Sequence, residues 1–192
     1  SASRSSGVGA TTSLTALLAA GTLCAFALAS SLLGRGSDPY RLAGFGALAG
    51  IFAFAAVIFA APLGSPSLFR IGTALIGFGS GLFAVGTLTG AMALADSGNS
   101  GLALGAWGAV QASATGAAIA VGGFLRDAFS GLAEAGLLGP TLTGRAVGYS
   151  VVYHLEILLL FVTLVAIGPL VRTTRELRLR PHSSFGLAEF PG

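Results

Sequence analysis

Charged residues are scarce in this sequence. Only 9% of its 192 residues are Asp, Glu, Lys or Arg, and lysine is absent, so arginine supplies all the positive charge behind the net +3. A soluble domain usually carries about 25% charged residues. Because so few charges cannot cover a water-facing surface, lipid must surround most of the chain. The pI near 9.8 therefore describes loop and tail arginines rather than a nucleic-acid surface.

Cysteine and catalytic motifs are also nearly absent. The single cysteine, Cys24, excludes an internal disulfide and a cysteine-based metal cluster. The sequence contains no nucleotide-binding loop, no paired catalytic carboxylates and no nucleophile beside a base. The string GFGSG at 77–81 resembles a phosphate-binding loop only superficially, since no strand precedes it and no lysine follows it. We therefore expect a protein that is not an enzyme.

Long apolar stretches take the place of these features. A bilayer core about 30 Å thick needs roughly 20 apolar residues per helix, and four stretches without Asp, Glu, Lys, Arg or His exceed that length: 5–34, 42–69, 71–95 and 97–125. Gly, Asp and Pro residues separate the stretches. The fold class predicted is an all-α polytopic membrane helix bundle. Its five spans are expected at 13–33, 41–61, 68–95, 102–125 and 148–171, between a polar tail at 1–12 and a basic tail at 172–192, with a loop of about 20 residues after the fourth span.

The arginines predict an orientation, because basic residues in short flanks stay on the cytoplasmic side. One side would collect Arg35, Arg41, Arg172, Arg175, Arg178 and Arg180, and the other Arg4, Arg70, Arg126 and Arg145. Six arginines against four favour a cytoplasmic C-terminus and an N-terminus on the opposite side of the membrane. We expect a multi-pass membrane protein with this orientation.

Small residues recur at intervals of four in the third and fourth spans, which places them on one helix face. The third span has the pairs Gly77 with Gly81 and Gly86 with Gly90, and the fourth has Ala112, Gly116 and Ala120 and, separately, Ala118 and Gly122. Small side chains let helix backbones approach closely in lipid. The faces therefore pack helices within the protein, or one of them docks a partner helix or a flat pigment ring.

Polar residues cluster at the outer end of the fifth span. Tyr149, Tyr153 and Glu156 share a face, and His154 lies about 100° from Tyr153. An acid inside a span normally faces the bundle interior with a partner, so Glu156 either bonds another helix, handles a proton or substrate, or contacts a pigment or partner protein. His154 either bonds a carbonyl at the interface or ligates the magnesium of a chlorin through a ring nitrogen.

Trp107 and Gln111 share a face of the fourth span. We expect Trp107 to anchor at the inner interface. Gln111 lies near mid-span, where we expect it to hydrogen-bond a neighbouring helix.

Several strings resemble a known family. The loop GRGSDPYRLAGFGAL resembles a cytoplasmic loop of major-facilitator proteins. Three longer strings are similar to the PucC and LhaA group of that superfamily: APLGSPSLFRIGTALIGFGSGLFAVGTLTGAMALA, LALGAWGAVQASATGAAIAVGGFLRD and GYSVVYHLEILLLFVTLVAIGPLVR. The resemblance covers about residues 11–172. It implies an association with bacterial light-harvesting and reaction-centre proteins, in a photosynthetic membrane, and names bacteriochlorophyll as the candidate cofactor.

The resemblance covers only part of such a protein. Members of the group resemble twelve-helix proteins, and this chain matches the last five helices. Alternating access requires two repeats around a central site, which five helices do not provide. The main hypothesis is therefore a non-enzymatic membrane subunit or assembly factor that binds rather than transports. The alternative is the C-terminal part of a major-facilitator-type bacteriochlorophyll carrier.

Overall fold

Five long helices make up the computed structural model. It describes the backbone of residues 2–95, 99–144 and 146–179, and side chains within 11–95, 99–144 and 146–171. The helices are α1 (Ala2–Gly34), α2 (Pro39–Ala60), α3 (Pro66–Ala93), α4 (Ser100–Glu134) and α5 (Ala146–Leu179). Each contains a segment long and apolar enough to cross a membrane. The expected all-α membrane bundle of five spans is thereby confirmed for the part of the chain that the structure describes.

Proline and capping side chains set where α2 and α3 begin. Pro39 and Pro66 occupy the first helical turn, where a missing N–H costs no hydrogen bond. The Asp38 carboxylate accepts a 2.8 Å hydrogen bond from the Tyr40 backbone N–H, and the Ser65 hydroxyl accepts one of 3.3 Å in α3. These bonds satisfy donors that the helix itself leaves free. The short connections between the first three helices therefore follow from local sequence.

Helix α4 is longer than expected from sequence. The prediction ended the fourth span at 125 and placed a loop of about 20 residues after it, but the helix continues to Glu134. Arg126 and Asp127 do not end the helix. Their side chains form an ion pair with each other at 2.7 Å, and the helical backbone continues past them. Gly136, at φ 71°, ends the helix, and the N–H of Leu137 returns to the Leu132 carbonyl at 3.0 Å. The connection to α5 is about half the expected length.

The first and the last helix of the chain also extend past the predicted spans. Helix α1 begins at Ala2, inside the segment expected as a polar tail, and α5 continues to Leu179, inside the expected basic tail. Residues 180–192 of that tail lie outside the described residues.

The protein core lies among α1, α2 and α3. A buried cluster joins Ala25 and Ala29 of α1 with Leu42 of α2 and Leu82 of α3. Helix α3 packs most extensively against α2 and then against α1, whereas α5 packs on α2 and α4. Helix α4 contacts α5 and, less extensively, α3. None of the residues in its most apolar segment is buried. The fold therefore combines a close-packed three-helix unit with a helix whose outer surface is open.

Candidate functional site

The glycines of α3 lie against α2 and α1. A Cβ added at Gly86 would lie 2.6 Å from the Ala43 nitrogen and from the Pro39 carbonyl oxygen, and one at Gly90 would lie 3.0 Å from the Tyr40 ring. The distances at Gly86 leave no room for a side chain, and a side chain at Gly90 would require the Tyr40 ring to shift. Of the two readings of this face, the structure supports helix packing within the protein, so Gly86 and Gly90 are not available to a partner.

The equivalent face of α4 has no such neighbours. A Cβ at Gly116 would meet nothing within 4 Å in the described part of the chain, and Ala112 and Ala120 beside it are exposed. Gly122, on another side of the helix, faces Val152 of α5 at 3.8 Å. We call the surface formed by Ala112, Gly116 and Ala120 the open α4 face. The small-residue faces of α3, and Gly122 of α4, thus pack against other helices, whereas the open α4 face has no partner among the described residues.

Trp107 joins α4 to α3. Its ring N–H donates a 3.2 Å hydrogen bond to the Thr87 hydroxyl, which in turn donates to the Phe83 carbonyl at 2.8 Å. The residue expected as an interfacial anchor therefore also connects two helices. Gln111, one turn further, was expected to hydrogen-bond a neighbouring helix. Its side chain forms no such bond within the described residues and borders a cavity instead.

An aromatic row begins at the N-terminal end of α5. The rings of Tyr149 and Tyr153 are 6.4 Å apart, and Tyr153 is 6.0 Å from Phe54 of α2. Arg126 lies 5.5 Å from the centre of the Tyr149 ring, within cation–π range. Neither Phe54 nor the pairing of Arg126 with Tyr149 was predicted from the sequence. Antiparallel helices joined by a short connection bring such residues together. To predict these contacts from sequence, the residue at which α4 ends would have to be known.

His154 is exposed on α5, with one ring nitrogen already engaged. Its Nδ1 lies 2.7 Å from the Ser150 backbone carbonyl oxygen, four residues earlier. A carbonyl oxygen only accepts, so Nδ1 carries the hydrogen, and in the neutral ring Nε2 has a free lone pair. A hydrogen bond that fixes one ring nitrogen and leaves the other free is typical of metal-ligating histidines. The carbonyl bond and the possible ligand role, treated as alternatives from sequence, are compatible in this geometry.

Glu156 borders a cavity of about 360 Å³ between α2, α3, α4 and α5. The other polar side chains that line it are Ser80, Gln111 and Thr163. Glu156 was expected to face the interior with a partner. It faces the interior, but no described residue forms a hydrogen bond or an ion pair with its carboxylate. The cavity therefore contains an acidic group that the fold itself leaves without a partner.

The arrangement as a whole can be compared with known proteins. The family model described as PUCC protein matches residues 6–175, which include the apolar segments of all five helices. The chain belongs to the PucC family. No solved structure matches the chain significantly.

Several known proteins are similar to this chain over most of its length. An uncharacterized protein in the puhA-bchM intergenic region of Rhodobacter capsulatus is 48% identical over 187 residues, covering 96% of this chain and 39% of that protein. Protein PucC of Cereibacter sphaeroides is 47% identical, covering 89% of this chain and 36% of its own length. Protein PucC of Rhodovulum sulfidophilum is 56% identical over 121 residues, covering 63% of this chain and 27% of that protein. The chain thus spans between 27% and 39% of the length of these relatives.

Proposed function

We propose that the chain is a non-enzymatic membrane subunit or assembly factor that packs against a bacterial photosynthetic complex of the light-harvesting and reaction-centre type. Membership of the PucC family supports the link with photosynthetic complex assembly. We place the protein in the photosynthetic inner membrane, with its C-terminus in the cytoplasm. The open α4 face is the observation that carries the proposal, because the matching glycines of α3 are already covered by α2.

Helix association in lipid explains why this face matters. Lipid tails are as apolar as leucine, so an exposed apolar side chain alone does not select a partner. Close approach of backbones does select one, because it brings many atoms into van der Waals contact. At Gly116 no described atom of another helix lies within 4 Å of the position of a Cβ, so the α4 backbone there is open to a partner helix or a flat ring.

Bacteriochlorophyll fits the residues at one position. The exposed His154 ring, with Nδ1 bound to the Ser150 carbonyl, offers Nε2 as an axial ligand for a chlorin magnesium. When bound, the pigment would supply light absorption and an extended flat surface for packing. His154 would hold and orient it, and Ser150 would keep the imidazole in the required tautomer.

Purification in mild detergent tests the docking proposal. Tagged protein from phototrophically grown cells should comigrate with pigment–protein rings, and Gly116→Leu should reduce the comigrating fraction about tenfold or more while the protein stays folded. Val121→Phe is the matched control, since it adds bulk at an exposed position about 140° around α4 from Gly116. Unchanged comigration of Gly116→Leu would show that the open α4 face touches only lipid.

Pigment binding is tested on the same preparations. The purified wild-type protein should show the absorbance of bound bacteriochlorophyll. His154→Ala should lose that absorbance. Ser150→Ala, which keeps the backbone carbonyl, should retain it. Equal absorbance in wild type and His154→Ala would exclude His154 as the ligand.

The alternative proposal is the C-terminal part of a bacteriochlorophyll carrier of the major-facilitator type. The chain's short span of its relatives and the cavity between four helices favour it. Seven further spans in frame upstream would support a carrier. Saturable transport by this chain alone in vesicles would refute the proposed binding role.

A further inference from the structure

An acidic side chain lies deep in the membrane-spanning region. Glu156 is ten residues from the start of α5 at Ala146, about 15 Å along the helix axis. At that depth lipid offers no hydrogen-bond donor, and an acid normally pairs with a cation or with donors inside the protein. Within the described residues the carboxylate has no such partner, and none of the residues lining its cavity is basic. Whatever fills the cavity must therefore satisfy Glu156.

The hydroxyls of the cavity add acceptors rather than donors. Ser80 donates its hydrogen to the Gly77 carbonyl at 3.0 Å, and Thr163 donates to the Leu159 carbonyl at 2.8 Å. Both hydroxyl groups have used their one donor on their own helix, so they present lone pairs to the cavity. Together with the carboxylate they form a lining that accepts hydrogen bonds and favours positive charge.

The position of Gln111 shows that the cavity extends along the helices. The backbone of Arg126 in α4 meets Gly148 in α5, and from that level Gln111 lies fifteen residues inward and Glu156 eight. At 1.5 Å per residue the two side chains are about 10 Å apart along the helix axes. The Gln111 amide is therefore beyond hydrogen-bond reach of the Glu156 carboxylate, and the cavity is long enough for an extended alkyl chain.

Aromatic rings complete the walls. Phe54 and Phe83 line the cavity, and Phe54 is supported by the Tyr153 ring at a centroid distance of 6.0 Å. Ring faces attract cations through their quadrupole and at the same time accept hydrocarbon. The remaining walls are mostly glycine, alanine and leucine, which suit an alkyl chain.

We infer that the cavity is a binding site for an alkylammonium group, with the ammonium on Glu156 and the alkyl chain along the apolar walls. An ammonium has three donors and no acceptor, which complements the acceptors that line the cavity. The volume of about 360 Å³ exceeds that of a short alkylamine. A free amphiphilic amine and a lysine side chain from a neighbouring helix share this chemistry. The site does not depend on whether the open α4 face docks a helix.

Binding of n-hexylammonium to the purified protein in lipid nanodiscs tests the inference by isothermal titration calorimetry. Wild-type protein should bind it saturably, and n-hexanol, which has the same chain without the charge, should not compete. Glu156→Gln should weaken binding about tenfold or more, since the amide oxygen still accepts a hydrogen bond but the negative charge that pairs with the ammonium is lost. Glu156→Asp should retain most of the affinity. Glu134→Gln, which removes an exposed carboxylate outside the cavity, is the matched control and should bind like wild type.

A second arm distinguishes the two sources of the ammonium. A transmembrane peptide with one central lysine is added to the nanodiscs and compared with the same peptide carrying leucine. Displacement of n-hexylammonium by the lysine peptide alone assigns the site to a neighbouring helix, and absence of displacement assigns it to a free amine. The inference is overturned if n-hexylammonium does not bind saturably, or if it binds wild type and Glu156→Gln equally.

Discussion

The contrast between Gly86 and Gly116 gives the sharpest test of the packing. In Gly86→Leu the new Cβ alone would lie 2.6 Å from two backbone atoms of α2, whereas ordinary contact begins at 3.4 Å, so α2 and α3 must separate by about 0.8 Å. A gap of that size forfeits about a quarter to a half of the dispersion energy of each affected contact. Overpacking typically costs about 1–3 kcal/mol, and the rest of the leucine side chain places this substitution at the upper end.

Helix propensity offsets part of that cost. Replacing a helical glycine gains up to about 1 kcal/mol, which leaves a net loss of about 2 kcal/mol, or roughly thirtyfold in the folding equilibrium. Gly116→Leu receives the same gain without the clash, because a Cβ there meets nothing within 4 Å in the described part of the chain. It should therefore be as stable as wild type or slightly more stable.

Unfolding in mixed micelles measures both variants. The protein in dodecyl maltoside is titrated with sodium dodecyl sulfate, and loss of structure is followed by circular dichroism and by the fluorescence of Trp107, the single tryptophan. Gly86→Leu should unfold at a clearly lower detergent fraction than wild type, and Gly116→Leu should not. Equal midpoints for wild type and Gly86→Leu, or an equal loss in both variants, would refute the assignment of the two faces.

Three further predictions concern topology and local contacts. Reporter fusions after Gly34 and after Arg180 should both give cytoplasmic signals, and a periplasmic signal at either point would contradict the orientation. Asp38→Ala should lower the free energy of unfolding by about 1 kcal/mol in the same titration, and Asp38→Asn should not, because asparagine caps a helix equally well. Thr87→Val should shift the emission of Trp107 by removing its hydrogen-bond acceptor; an unchanged spectrum would mean that the bond is absent.

Local sequence signals predicted the helices well, but they predicted poorly where α4 ends and which residues pack against each other. The number and type of the helices follow from sequence, because they depend on residues that are adjacent in the chain. These local signals are the uncharged runs of membrane length and the helix starts at Asp38–Pro39 and Ser65–Pro66. The end of α4 did not follow, because the two charges at 126 and 127 favoured a boundary. In the structure they neutralise each other locally, and the helix continues.

The cavity shows a second limit of sequence reasoning. Gln111 and Glu156 were each identified as polar residues in a span. Gln111 was expected to bond a neighbouring helix, and Glu156 to bond another helix, handle a proton or substrate, or contact a pigment or partner protein. The two residues are forty-five positions apart, and only the antiparallel register of α4 and α5 places both on one cavity. Periodicity along one helix cannot supply that register, so neither the shared cavity nor the missing partner of Glu156 could be predicted.

Identical spacing in α3 and α4 has different consequences because lipid changes what exposure means. In water, the exposed leucines of α4 and the exposed Phe124 would drive association by themselves. In a bilayer they cost nothing, and a partner is selected by what lipid cannot provide: close backbone approach and polar contacts. Gly116 offers the first on the outer surface of α4, and Gln111 offers the second on the side that borders the cavity. Because these residues lie about 140° apart around one helix, substitutions at each can separate docking of a helix from binding in the cavity.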